Sequence, residues 1–375
     1  MKNLNRCLLV LTIILTAFSM SCGEVRKGPY LIPTGNNTEM TIHWQLRQTE
    51  ACLLEWGEDE GYSLGSTVTY ENGNAPDQHQ HAYTITGLTP ATGYDYRVAT
   101  ELGEYTGTFR TAPDSAETDL KFMAYGDTRT YPDIHDRVAE AMVSTYRYSL
   151  DFQTFILGVG DLVSAGDLES IWDLEFFDPK YENIQRMLAN VPFVSCMGNH
   201  EQSGELYEKY FPYPFEEGGR YWSFDYGPAH FVMVDQYVDY GAGSTQLEWI
   251  EDDLGSTDKT WKFVFLHEPG WSAGGHSNEQ DVQDYIQPLC EAHGVDVVFA
   301  GHNHYYARAL VNDVHHITTG GGGAPLYSPD PDYTPEVVAA SESHHFCKVE
   351  IQGNTLAFTA VKPDGTEIDT FSIYK

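Results

Sequence analysis

Five short apolar stretches punctuate the chain, and each ends in polar residues able to bind a metal. KFMAYGD reaches Asp127, FILGVGD reaches Asp161, VPFVSCMGNH reaches Asn199 and His200, KFVFLH reaches His267, and VDVVFAGHNH reaches His302 and His304. Asp, Asn and His are poor strand formers, so their place at the ends of β-like runs calls for a reason. In open α/β sheets, ligands bind beyond the carboxyl ends of the strands, where residues far apart in sequence converge. The pattern therefore predicts strands that deliver one cluster of side chains to one crevice. Between and after them the periodicity predicts helices over 132–148, 180–190, 245–254 and 279–293. Thr245 and Glu248 form a capping box for the third, and Gly294 ends the fourth. The tail from His345 alternates through three strands, with turns at Gly353-Asn354 and Asp364-Gly365.

Before the first of these blocks, roughly Val25 to Ala112, the grammar changes. Short alternating runs such as MTIHWQL and ACLLEWG, separated by Asn, Gly and Pro turns, predict an all-β sandwich and carry no series of candidate ligands. Thr111 to Thr118, with Pro113, Ser115 and acidic residues, reads as a linker.

The ligand types narrow the chemistry. Three His, two Asp and one Asn, without Cys, suit Fe, Mn or Zn better than structural zinc, calcium or magnesium sites. Six side chains exceed what one catalytic ion takes. They fit a pair of ions that holds a hydroxide nucleophile and clamps phosphoryl oxygens. Singly, GNHE also reads as a turn with a capped helix start and GHNH as a glycine turn; five blocks in order carry the metal reading. Thr318–Tyr327, TTGGGGAPLY, lacks the Lys and Ser/Thr of a P-loop and reads as a tight loop near the site.

At the very start, Lys2 and Arg6 precede an apolar run from Cys7 to Met20, the length of a secretory signal core rather than of a membrane span. The export signal is expected to occupy residues 1–21. Ser19-Met20-Ser21-Cys22 resembles a bacterial lipoprotein box, in which Cys22 takes the lipid. This predicts an exported protein anchored at the membrane or cell surface, or otherwise periplasmic or secreted.

The chain of 375 residues, 41% hydrophobic, has room for two cores. Its formal charge of −34 grows more negative once Lys2 and Arg6 are removed, which makes nucleic acid a poor partner. Cys52, Cys196, Cys290 and Cys347 show no paired spacing, and Cys196 reads as a small core residue.

With these residues in view, the chain resembles the calcineurin-like metallophosphoesterases, and within them the purple acid phosphatases, through GDTR, GVGD, GNHE, LHEP and GHNH in that order. Residues 82–98, AYTITGLTPATGYDYRV, resemble a fibronectin type III module of the kind that precedes those catalytic domains; Tyr94 and Tyr96 would anchor its corner and core. The resemblance implies an α/β (α+β) fold: a sandwich over 24–112, then a metallophosphoesterase β-sandwich flanked by helices over 119–375. It implies Asp127 and His304 on the first ion, Asp161 bridging, and Asn199, His267 and His302 on the second. His200 would act at the leaving group. Two departures stand out. Position 129, where the wider family has a His ligand, is Arg, which could contact substrate phosphate. Position 164, where purple acid phosphatases have an iron-binding Tyr, is Ser, so no purple chromophore is expected. Ser164, a water or His135 are the candidates for the vacant place; His135 also reads as part of the amphipathic segment 132–148. His276, His293, His315, His316, His344 and His345 read as ordinary surface or core histidines.

The function expected is an exported phosphomonoesterase acting on small phosphate esters through a metal-bound hydroxide. Alternatives are a phosphodiesterase or nucleotide pyrophosphatase with the same metals, and a surface binding protein with a degenerate site.

Overall fold

A computed structural model of the protein describes residues 25–71 and 79–375; the expected signal and Cys22 lie outside the described residues. Two antiparallel sheets come first. One joins Val25–Ile32, Met40–Leu46 and Gln80–Ile85; the other joins Gly65–Thr69, Cys52–Gly57, Gly93–Ala99 and Glu104–Arg110. Alternation buries Tyr94, Tyr96 and Val98 with Trp44, Leu54 and Phe109 in one core. The Tyr94 hydroxyl accepts the Thr89 N–H at 2.8 Å, which pins the corner.

The rest is two larger sheets packed face to face. A six-stranded sheet runs Phe193–Ser195, Ile156–Gly158, Asp119–Tyr125, Phe346–Gln352, Thr355–Val361 and Glu367–Tyr374. A seven-stranded sheet runs Trp222–Tyr226, Ala229–Met233, Trp261–Phe265, Val297–Ala300, Val314–Thr319, Tyr306–Val311 and Val337–Ser341. Phe122 of the first meets Phe231 and Phe263 of the second edge-on, each at 5.3 Å between ring centroids. That aromatic seam is the core between the sheets.

Helices cover the outer faces. Pro132–Tyr148 and Glu182–Asn190 lay Val138, Met142, Ile184 and Met187 on the six-stranded sheet, while Thr245–Ser256 and Gln287–His293 cover the other with Ile250, Leu254 and Cys290. The inner strands are consequently buried on both faces and read as unbroken apolar runs. Three expected details shift. The cap of Thr245–Ser256 is Ser244, whose hydroxyl accepts the Leu247 N–H at 3.2 Å, rather than Thr245. The expected helix over 279–293 begins as a wider π turn at Val282–Ile286 before Gln287–His293, and ends at Gly294 as expected. Tyr96 does more than fill the sandwich core: its hydroxyl donates to Ala189 O at 2.9 Å.

That bond is one of several tying the sandwich to the rest. Thr108 gives its N–H and hydroxyl to Asn190 Oδ1, both at 3.0 Å, and buried Lys27 pairs with Glu169 at 2.8 Å and with Asp173. No helix among the described residues is long and apolar enough to cross a membrane.

Candidate metal centre

Asp119–Tyr125, Ile156–Gly158 and Phe193–Ser195 run parallel to one another, as do Ala229–Met233, Trp261–Phe265 and Val297–Ala300 in the facing sheet. Asp127, Asp161, Asn199, His267 and His302 each stand just past the carboxyl end of one of these strands. Their backbones turn sharply there: Asp127, Asp161 and His302 hold φ of 55°, 54° and 65°, left-handed conformations that non-glycine residues avoid. Such strain persists where surrounding contacts over-determine it, and it clusters at functional sites.

Glycines let the turns approach. A Cβ on Gly198 would sit 2.4 Å from both Asp161 N and Asp161 Oδ1. The Gly320–Gly323 run packs against Asp127, Gly126 and Thr128, with Gly322 N–H donating to Gly126 O at 2.8 Å. It buttresses the first turn, as the sequence suggested.

Two corners result. In one, His267 gives its Nδ1 proton to Val159 O at 2.7 Å. Its Nε2 lone pair then faces Asn199 Oδ1 at 3.1 Å and Asp161 Oδ1 at 3.3 Å, and His302 Nδ1 lies 3.0 Å from the same Asn199 oxygen. Acceptors gathered around one point are what a cation satisfies. In the other corner, Asp127, Asp161 and His304 each place a ligand atom within 4.8 Å of the others. His304 gives its Nδ1 proton to Pro325 O at 2.7 Å, leaving Nε2 3.5 Å from Asp127 Oδ1.

The electrostatics agree with that demand. Burial, with Asp161 beside it, pushes the Asp127 carboxyl well above its usual range. Burial lowers His302 to about 3 and His304 to about 4, which keeps both rings neutral with lone pairs available. The donor set fits metal ions at both corners.

Arg129 stands beside the site as expected, but it contacts the predicted ligands: Nε donates to Asp161 Oδ2 at 3.1 Å and Nη2 to His304 Nε2 at 3.2 Å. His200 gives its N–H to Asp161 Oδ1 at 2.9 Å and its Nδ1 proton to Ser164 O at 2.8 Å, so Nε2 is its free nitrogen, partly exposed beside the site. Ser164 does not fill the vacant ligand place. Its hydroxyl donates to Glu175 Oε1 at 2.5 Å, and Glu175 Oε2 accepts the Ser164 and Thr130 N–H groups. His135 does not fill it either, because its buried ring bonds the Tyr125 hydroxyl at 2.9 Å and packs on Phe176.

Four residues escaped the sequence reading. Glu201, fully buried, accepts the N–H groups of Gly198, Asp161 and Leu162 at 2.7–2.9 Å. Burial, with Asp161 adding to it, pushes its carboxyl up, and those N–H donors, which favour the ionised form, oppose the rise. Glu175 holds the first and second turns together. Exposed His276, read as ordinary, lies against His302 with ring centroids 4.0 Å apart, and Tyr327 stacks on His304 at 4.2 Å. Only Glu201, inside the GNHE block, had a signal in the sequence. Glu175 lies in the short π turn Trp172–Phe176, and His276 and Tyr327 come from loops; the local pattern encodes the folding of none of these segments. His293, His315, His316, His344 and His345 have no described contact with the six ligand candidates.

Comparisons with known proteins identify the two domains that frame this site. Residues 120–306 match the calcineurin-like phosphoesterase family and residues 27–112 match the purple acid phosphatase N-terminal domain. Probable purple acid phosphatase 20 of Arabidopsis thaliana is 27% identical over 301 residues, covering 72% of this chain and 66% of that protein. Probable inactive purple acid phosphatase 27 of the same plant is 27% identical over 270 residues, 61% of this chain and 43% of that protein. The chain thus spans less than two-thirds of these relatives' own length. A purple acid phosphatase from yellow lupin (Lupinus luteus) seeds shares the fold, with a TM-score of 0.76 at 20% identity over 93% of this chain and 74% of that one. The chain carries a calcineurin-like metallophosphoesterase domain and, ahead of it, a purple acid phosphatase N-terminal domain.

Proposed function

We propose that this protein is an exported phosphomonoesterase with two metal ions, one held by Asp127, Asp161 and His304 and the other by Asp161, Asn199, His267 and His302. The observation that carries the reading is the lone pair of His267 Nε2 directed at the oxygens of Asp161 and Asn199, with its proton fixed on the far nitrogen by Val159. The ions, when bound, would supply the nucleophile and the positive charge that phosphoryl transfer draws on.

The chain's own groups do the rest. His200 donates through Nδ1 to Ser164 O, which aims Nε2 into the opening, where its protonated form can give a proton to the departing alkoxide. Asp161 is fixed twice, by Arg129 Nε on one oxygen and the His200 N–H on the other. His276 and Tyr327 wall the opening beside His302 and His304 and can donate to phosphate oxygens. Position 164 is Ser, committed to Glu175, so it supplies no tyrosinate and no purple chromophore is expected.

The family matches over 27–112 and 120–306 support the division into 24–112 and 119–375. Residues 1–21 as the signal and Cys22 as the lipid-bearing residue at the membrane or cell surface rest on the sequence alone, on the apolar run from Cys7 to Met20 and on Ser19-Met20-Ser21-Cys22. The ion types fall within Fe, Mn and Zn. The competing reading is a surface binding protein with a decayed site; Arg129 hydrogen-bonded to two ligand candidates is the observation in its favour. Turnover of p-nitrophenyl phosphate against bis-p-nitrophenyl phosphate tests the proposal. Faster monoester hydrolysis is expected. Faster diester hydrolysis would move the reading to a phosphodiesterase or nucleotide pyrophosphatase, and turnover of neither would favour the binding protein.

A further inference from the structure

The Arg129 guanidinium occupies atoms that the first ion position needs. It donates to Asp161 Oδ2 at 3.1 Å and to His304 Nε2 at 3.2 Å, while Nη1 reaches Thr130 Oγ1 at 3.2 Å. His304 spends its Nδ1 proton on Pro325 O, so Nε2 offers the ring's one in-plane lone pair. That lone pair serves the arginine or a cation, not both. Asp127, Asp161 and His304 are also the group whose ligand atoms lie within 4.8 Å of one another. A dication there would meet the guanidinium's positive charge at close range as well. The hydrogen bonds of Arg129 leave Asp161 Oδ1, Asn199 and His267 Nε2 untouched, so the second corner carries no such conflict.

We propose that Arg129 competes with the ion held by Asp127, Asp161 and His304, so that this position fills together with a phosphate group that takes the guanidinium over. The inference rests on the two-ion reading above. Guanidinium pairs with phosphate through parallel hydrogen bonds, which makes phosphate a better partner than one imidazole nitrogen and one carboxylate oxygen. The backbone beside it is pinned, since Thr130 N–H donates to Glu175 Oε2 at 3.0 Å, so the side chain is the part that moves. Phosphate that removes the competitor strengthens the ion's binding, and the ion strengthens phosphate binding by the same factor.

Equilibrium dialysis of the purified protein against Mn²⁺, with and without inorganic phosphate, tests this in the wild type, Arg129→Ala and Arg129→Lys. In the wild type one ion should bind at least about tenfold more tightly than the second, and phosphate should tighten the second about tenfold. In Arg129→Ala the second ion should bind about tenfold more tightly without phosphate, and phosphate should then add less than about threefold. Lys, whose single nitrogen replaces the planar fork, should fall between, and it carries the test if circular dichroism shows the Ala variant unfolded. Two ions bound with the same affinities and the same phosphate response in all three proteins would overturn the inference and leave the two-ion reading standing. A wild type that binds no second ion under any condition would overturn both.

Discussion

Glu201 accepts the backbone N–H of Asp161 at 2.9 Å from a fully buried position, and the same carboxylate takes the N–H groups of Leu162 at 2.8 Å and Gly198 at 2.7 Å. One side chain therefore binds the turn that carries Asp161 to the turn that carries Asn199 and His200. Partners behind metal ligands are worth about 10–100-fold in metal affinity.

Glu201→Gln keeps the shape but turns one acceptor into a donor facing backbone N–H groups. We expect a loss of about 2–3 kcal/mol in stability, the cost of a buried mismatch, and weaker ion binding. Urea unfolding and metal titration of the same samples check both. Unchanged ion affinity would show that Glu201 serves folding alone.

His230 sets a pH dependence remote from the centre. Burial opposes its charge, but hydrogen bonds from its two ring nitrogens to Asp225 and Asp253, both at 2.8 Å, raise its pKa to about 9. A raised folded-state pKa stabilises fully below the unfolded value near 6.5 and loses that contribution as pH rises towards 9. The contribution is on the order of 3 kcal/mol. Thermal unfolding followed from pH 6 to 10 should show a decline in the wild type that is much reduced in His230→Gln. Parallel profiles would contradict the assignment.

The strand ends were legible because their chemistry is anomalous: no packing rule puts Asp127, Asp161 or His302 after an apolar run. The same holds for helix Pro132–Tyr148, whose apolar spacing and first-turn Pro mark it. The way Ser164 and Arg129 are used was not legible. Ser164 is tied up by Glu175, eleven positions beyond it, whose carboxylate reaches back across a turn that has no periodic signature and also takes the Thr130 N–H, while Arg129 turns to Asp161 and His304, which are distant in sequence. His276 and Tyr327 were hidden for a similar reason. They come from separate loops, pack on His302 and His304 respectively, and meet each other with ring centroids 5.6 Å apart. Tyr96 shows the other limit: its burial followed from alternation, whereas its bond to Ala189 depends on how the sandwich docks.

The central claim is that Asp161 serves both corners. Metal content by plasma mass spectrometry, with p-nitrophenyl phosphate turnover on the same samples, should compare wild type with Asp161→Ala after loading with Mn, Fe or Zn. The account predicts two ions per chain with turnover in the wild type, and at most one ion with turnover reduced by about 10³-fold or more in the variant. Two ions retained in Asp161→Ala, or a wild type that binds none and turns nothing over, would contradict it.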